Sequence, residues 1–192
     1  GPSLTVVSGE HEAIAQLTAR LEAKEIACRL VPTSHAFHSQ MMDPILAKFT
    51  ELVRNTPRQA PTLHWISSLT GKLITDAQAL DPAYWAAQLR QPVQFVEGVG
   101  QLIDHQLALL EVGPGQTLAS LARQHGQRDA GQLVATSLHS GQEFGADREH
   151  LLAAAGQLWT RGVALNWPAL HGQAQRRRVA LPTYPFSRQR RW

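Results

Sequence analysis

Leu107-Ala108-Leu109-Leu110-Glu111-Val112, then Gly113-Pro114-Gly115, then Thr117-Leu118-Ala119-Ser120-Leu121-Ala122-Arg123-Gln124 is the stretch that decides the fold class. The first six residues are a buried-strand run, the Gly-Pro-Gly triplet ends it in a turn, and from Thr117 the apolar spacing is helical until Gly126. Leu133 to Leu138 reads as a further strand. Upstream, Leu4 to Val7 is β-branched-rich, Ser8 can cap, and Ile14, Leu17 and Leu21 recur at helical spacing up to Lys24, with Ile26 to Val31 as the returning strand. Asp43-Pro44, a cap followed by a first-turn proline, opens an amphipathic helix through Ile45, Phe49, Leu52 and Val53 that ends before Pro57. Thr62 to Ile74 reads as one or two strands with a turn at Thr70-Gly71-Lys72. Asp81-Pro82 opens a short helix; Pro92 breaks it and begins another through Phe95, Val99, Leu102 and Ile103. Leu151, Leu152, Ala155, Leu158 and Trp159 mark a last helix. Strands alternate with helices, so the class is α/β. There is no internal repeat and no low-complexity tract.

Composition narrows the classes further. The chain has 192 residues, 43% of them hydrophobic, and no apolar run near the roughly 18 residues of a membrane span. No basic-then-apolar leader is seen, so a cytoplasmic location is expected. The single cysteine, Cys28, excludes a disulfide framework and a cysteine-based zinc site, and its apolar context predicts a buried small hydrophobe. The net charge of +3 hides an asymmetry: residues 1–170 hold 12 basic and 15 acidic side chains, residues 171–192 six basic and no acidic ones. A basic tail can be a nucleic-acid arm. Here, however, Val179-Ala180-Leu181-Pro182-Thr183-Tyr184-Pro185-Phe186 lies between the two arginine groups. Its prolines favour an extended path and its large apolar side chains want a surface, so it reads as a strap that packs on folded protein.

Three segments could carry chemistry. Ser34-His35-Ala36-Phe37-His38-Ser39 puts two histidines at a strand end before a helix, where α/β proteins collect ligands and catalytic groups, although most loop histidines only satisfy backbone hydrogen bonds. A metal site is not expected, because His64, His105 and His125 have no recognisable ligand spacing. Glu111 to Thr117 could present N–H groups to an anion, but it matches no phosphate-binding pattern and reads more simply as a tight turn. His139-Ser140-Gly141-Gln142 lacks glycines two residues either side of the serine, so Ser140 is read as loop and not as a nucleophile elbow.

Five separated motifs agree on one family. Val6-Val7-Ser8-Gly9, Ser34-His35-Ala36-Phe37-His38-Ser39, Pro92-Val93-Gln94-Phe95, Glu111-Val112-Gly113-Pro114-Gly115 and the closing Leu181-Pro182-Thr183-Tyr184-Pro185-Phe186-Ser187-Arg188-Gln189-Arg190-Arg191-Trp192 resemble, in order and spacing, the acyltransferase domain of modular type I polyketide synthases and the linker that follows it. The resemblance implies transfer of a malonyl group from malonyl-CoA to the phosphopantetheine thiol of an acyl carrier protein, by a serine–histidine ping-pong mechanism with no bound cofactor. It implies that His38 is the catalytic base and that the main-chain carbonyl of Gln88 orients it. A serine hydroxyl cannot attack unaided, so an imidazole must take its proton and return it to the leaving thiol. A carbonyl on the other ring nitrogen would fix the tautomer. His35-Ala36-Phe37-His38 resembles the malonyl-selecting form, with His35 and Phe37 as selectivity positions. Phe37 would crowd a branch on the acyl α-carbon, a discrimination worth roughly 1 to 3 kcal/mol for one methyl.

The sequence departs from the family at one place: no Gly-x-Ser-x-Gly occurs in the 192 residues. The expectation is therefore the C-terminal part of an α/β-hydrolase-like acyltransferase core, with half of a ferredoxin-like subdomain at residues 1–33. Core residues would occupy 34–140 and a helix and linker 141–192. Such a chain carries the base without the nucleophile, needs the missing N-terminal half, and is expected to be inactive alone. The expected partners are the carrier protein and, through Tyr184 and Phe186 as buried anchors, the ketosynthase and linker of the same polypeptide. The rival readings are a non-catalytic docking fragment of a multienzyme and, less favoured, a basic-tailed nucleic-acid-binding module; neither a membrane nor nucleic acid is an expected partner.

Overall fold

A computed structural model describes residues 4–139, 147–172 and 179–186. Helix α1, His11–Glu22, presents Ile14, Leu17 and Leu21 as a half-buried stripe. The runs flanking it, expected as strands, join no sheet, and Val6 and Leu30 are 73% and 76% exposed. β-Branched side chains favour a pleated, half-covered surface, but only a neighbour's ladder makes a strand, and no described segment supplies one here. Cys28, in the second run, is exposed and not buried, for the same reason.

A 3-10 turn, Gln40–Met42, leads directly into α2, Asp43–Arg54. The cap lies earlier than expected: Ser39 Oγ accepts the Met41 N–H at 3.2 Å, and Asp43 is already helical. The stretch 62–74 forms no full strand. It folds into a turn with a single antiparallel bridge between Ile66 and Leu73, closed by Ser67 N–H to Lys72 O and Gly71 N–H to Ser67 O, both 2.8 Å. A five-residue helix, α3, follows at Asp76–Leu80, opened by a capping box in which Thr75 and Gln78 exchange bonds. Then come α4, Pro82–Arg90, and α5, Phe95–Asp104.

β1, Leu109–Glu111, and β2, Val134–Thr136, pair in parallel with Leu109 opposite Val134, and α6, Thr117–Arg123, lies between them in the chain. A parallel pair requires such a crossover, and the apolar stripe of the helix covers the strands. The core sits at this junction: Val99 and Ile103 of α5 and Ala122 of α6 are buried, with Phe95, Leu109 and Val134 packed against them. Helix α7, Asp147–Thr160, leans on β2 through a 2.7 Å hydrogen bond between Thr136 Oγ1 and His150 Nε2, with Ala154 and Ala155 buried. A short α8, Trp167–His171, starts where Asn166 Oδ1 accepts the Ala169 N–H at 3.0 Å. The fold is mixed α/β and helix-rich. No described helix is long and apolar enough to cross a membrane.

Candidate active site

The site is assembled by the way α4 ends. Asp81 Oδ1 caps the helix by accepting the Ala83 N–H at 2.9 Å, and Pro82 has no N–H to strand in the first turn. Pro92 stops it. The residue before a proline is pushed out of the helical region, and Gln91 is extended, with φ −86° and ψ 155°. Its N–H still closes the last turn on Ala87 O at 2.7 Å, while its carbonyl turns off the helix axis. The carbonyls of the last turn lack helical partners, so the C-terminus offers acceptors to whatever packs beside it.

His38 packs there. Its N–H donates to Leu89 O at 3.2 Å, and its ring Nδ1 lies 2.9 Å from Gln91 O. A carbonyl can only accept, so Nδ1 carries the proton in this bond, and in the neutral ring the lone pair is left on Nε2. The arrangement yields a half-buried imidazole with a fixed tautomer and a basic nitrogen directed away from its support. The backbone is strained at this residue: His38 has φ 61°, in the left-handed region that non-glycine residues avoid.

The loop around His38 is tied down locally. Ser39 Oγ donates to Ala36 O at 2.6 Å, Phe37 N–H to His35 O at 3.0 Å, and Thr33 Oγ1 to His35 O at 3.1 Å. Arg90 Nε reaches Asp43 Oδ1 at 2.5 Å, joining the basic end of α4 to the acidic start of α2 across the loop. Each charge also complements its own helix dipole.

The carbonyl that meets His38 Nδ1 is not that of Gln88, where the resemblance put it. That carbonyl belongs to Gln91, three residues later, where the proline has opened the helix, and the Gln88 side chain instead approaches Ser68 Oγ through Nε2 at 3.4 Å. The Gln-Pro dipeptide was the available signal. His35 and His38 make separate contacts: His35 Nδ1 is 2.9 Å from Ser34 Oγ, and its ring tilts against Phe37 at 6.0 Å. Phe37 is 43% exposed beside His38 in the loop. Among the described residues no group of three or more His, Cys, Asp and Glu side chains is placed to hold a metal ion.

The glycine turn after β1 already holds an anion, its own. Glu111 accepts the Leu118 N–H at 3.2 Å on Oε1 and the Ala119 N–H at 2.8 Å on Oε2, filling the start of α6, while Gly113 N–H donates to Ser137 Oγ at 3.1 Å. Gly113 and Gly115 have φ 138° and 101°, so glycine is required there by conformation. A concavity of about 390 Å³ lined by Thr70, Lys72, Glu97, Gln101, Asp104 and His125 does not include His38. Tyr184 and Phe186, expected as buried anchors, are 73% and 75% exposed and stack edge-on against each other at 4.9 Å. Within the described residues they cover no core. Ser140 and the arginines of the tail lie outside the described residues.

Comparison with known proteins identifies the family. The chain is 34% identical over 192 residues to a phenolphthiocerol/phthiocerol polyketide synthase of Mycobacterium tuberculosis, matching all of itself and 13% of that protein. It is 34% identical over 194 residues to polyketide synthase GfsA of Streptomyces halstedii, of which it spans 2%. Among solved structures, the acyltransferase domain from the second module of the salinomycin polyketide synthase superposes with a TM-score of 0.76 at 34% identity, over 91% of this chain and 41% of that one. The acyl transferase domain of SpnD, in complex with 2-(pent-4-yn-1-yl)malonyl, gives 0.76 at 32% identity, over 80% and 38%. The chain thus spans well under half of the solved domains it matches. The family model for the acyl transferase domain covers residues 1–164, which include the His38 loop, α4 and the Glu111 turn, and the chain therefore belongs to the acyl transferase domain family of modular polyketide synthases.

Proposed function

We propose that this chain is the base-bearing part of an acyltransferase that moves a malonyl group from coenzyme A to the phosphopantetheine thiol of an acyl carrier protein. The observation that carries the reading is the 2.9 Å contact of His38 Nδ1 with Gln91 O, which leaves Nε2 as the basic nitrogen. In the first half-reaction Nε2 takes the proton of a serine hydroxyl as that oxygen attacks the thioester carbonyl, and the resulting imidazolium gives the proton to the departing coenzyme A sulfur. In the second, Nε2 deprotonates the carrier thiol, which attacks the acyl-serine ester, and returns the proton to the serine oxygen. The Gln91 carbonyl accepts from Nδ1–H throughout and favours the imidazolium formed in each half.

The serine must come from polypeptide other than these residues, because no elbow motif occurs among them. The fragment readings belong to the same proposal: half of a ferredoxin-like subdomain at 1–33, the back of a hydrolase-like core at 34–140, and a helix and linker at 141–192 with a ketosynthase as its surface. The malonyl preference rests on Phe37 and His35 beside the base, as does cytoplasmic function on the substrate class.

The test supplies the rest of the domain. In a polypeptide joining a Gly-His-Ser-x-Gly half-domain to this chain, His38→Ala should lower malonyl transfer to a carrier protein by about 10²- to 10⁴-fold. Unchanged transfer would overturn the catalytic reading and leave a docking role. The 192-residue chain incubated alone with malonyl-CoA should show no serine-linked mass increment.

A further inference from the structure

The Gln91 carbonyl is useful to His38 only if it is held still, and the structure contains a support for the chain on either side of it. Gln91 lies between two contacts with one partly buried turn: Gln94 N–H donates to Ser68 O at 2.7 Å, and the Gln88 amide approaches Ser68 Oγ at 3.4 Å. The preceding residue, Ser67, has 0% exposure, and its hydroxyl accepts the N–H groups of Leu69 and Thr70, both at 3.2 Å. Tyr84, itself buried on α4, donates its phenolic hydroxyl to the same oxygen at 2.6 Å. On the far side the turn is pressed against α5. A Cβ on Gly71 would stand 2.6 Å from Glu97 Cβ, and one on Gly98 would stand 3.0 Å from Ile66 Cγ2, so the turn has no room to retreat.

We propose that the Tyr84–Ser67 hydrogen bond is a positioning contact for His38. It fixes the height of α4 on the turn, the turn clamps residues 88 and 94, and the carbonyl between them is thereby aimed at Nδ1. Tyr84 touches no reacting atom, and its effect on acyl transfer would run wholly through the orientation of the imidazole. This inference rests on the proposed role of Gln91 O, and the test separates the two.

Tyr84→Phe keeps the ring and removes the hydroxyl, leaving Ser67 Oγ with two donors. The readout is the ¹⁵N spectrum of the histidine rings in the 192-residue chain, with the His38 signals among the nine histidines assigned by their loss in His38→Gln. In the parent chain His38 should be the Nδ1–H tautomer. In Tyr84→Phe that preference should fall several-fold, with the thermal midpoint recorded alongside. A Tyr84→Phe chain that melts earlier but keeps the parent tautomer overturns the positioning role and leaves an ordinary core hydrogen bond. Should Tyr84→Phe not fold, Gln88→Met, which removes only the longer clamp, should still weaken the preference in part, and an unchanged tautomer there overturns the proposal equally. A parent chain already lacking the Nδ1–H tautomer would instead refute the role given to Gln91.

Discussion

Ile103 and Leu30 are isomeric aliphatic side chains with opposite surroundings: the first is 1% exposed, the second 76%. They stand for two regions. From residue 38 to residue 136, helix ends, turns and the parallel strand pair answer one another, so that the carbonyls freed by Pro92 meet His38 and the N–H groups freed at the start of α6 meet Glu111. The outer runs, 4–10, 24–33 and 179–186, each carry a short apolar stretch, yet Val6, Val31, Leu181 and Phe186 are all more than half exposed. The difference teaches that composition alone does not make a core. A segment is stabilised by side chains that arrive from elsewhere, and a region whose groups are satisfied locally can carry a site where one that waits for neighbours cannot.

The sharpest way to break this comparison is to truncate one member of each region. Ile103→Ala should cost about 2–5 kcal/mol, since it opens a cavity between α5, α6 and the strands, as read by urea unfolding of the chain. Glu111→Ala should come next, at about 1–2 kcal/mol, because two N–H groups at the start of α6 lose a charged acceptor; the same titration reads it. Leu30→Ser should lie within about 0.5 kcal/mol of the parent, the usual range for an exposed position. A large loss at Leu30 would show that the outer run is covered in solution and erase the distinction between the regions.

Much of the inner region was legible in the sequence because its signals are local. Asp81-Pro82 and the proline after Gln91 mark both ends of α4, and the spacing of Phe95, Val99 and Ile103 marks the buried face of α5. The Thr75 to Gln78 capping box was equally readable, but five residues carry too little periodicity to announce α3. What could not be read were consequences of packing. Thr62 to Ile74 has strand-like residues, yet Ser67 turns inward to meet Tyr84 and leaves room for only one bridge. Leu4–Val7 and Ile26–Val31 have the propensity of strands without a ladder. At the candidate site, the motif singled out His38, whereas the contact of its ring with Gln91 O in place of Gln88 O depends on which carbonyl a broken helix turns outward, a matter of three dimensions.

The left-handed backbone of His38 puts a conformational cost on the residue proposed as the base. A non-glycine residue in that conformation is worse by roughly 1 to 2 kcal/mol than glycine would be. Glu25 and Gln106 share this conformation, at φ 59° and 55°, but neither has a proposed chemical role. On the role proposed for His38, a change to glycine would relieve this strain and remove the base together, so stability and acyl transfer would move in opposite directions at this one position.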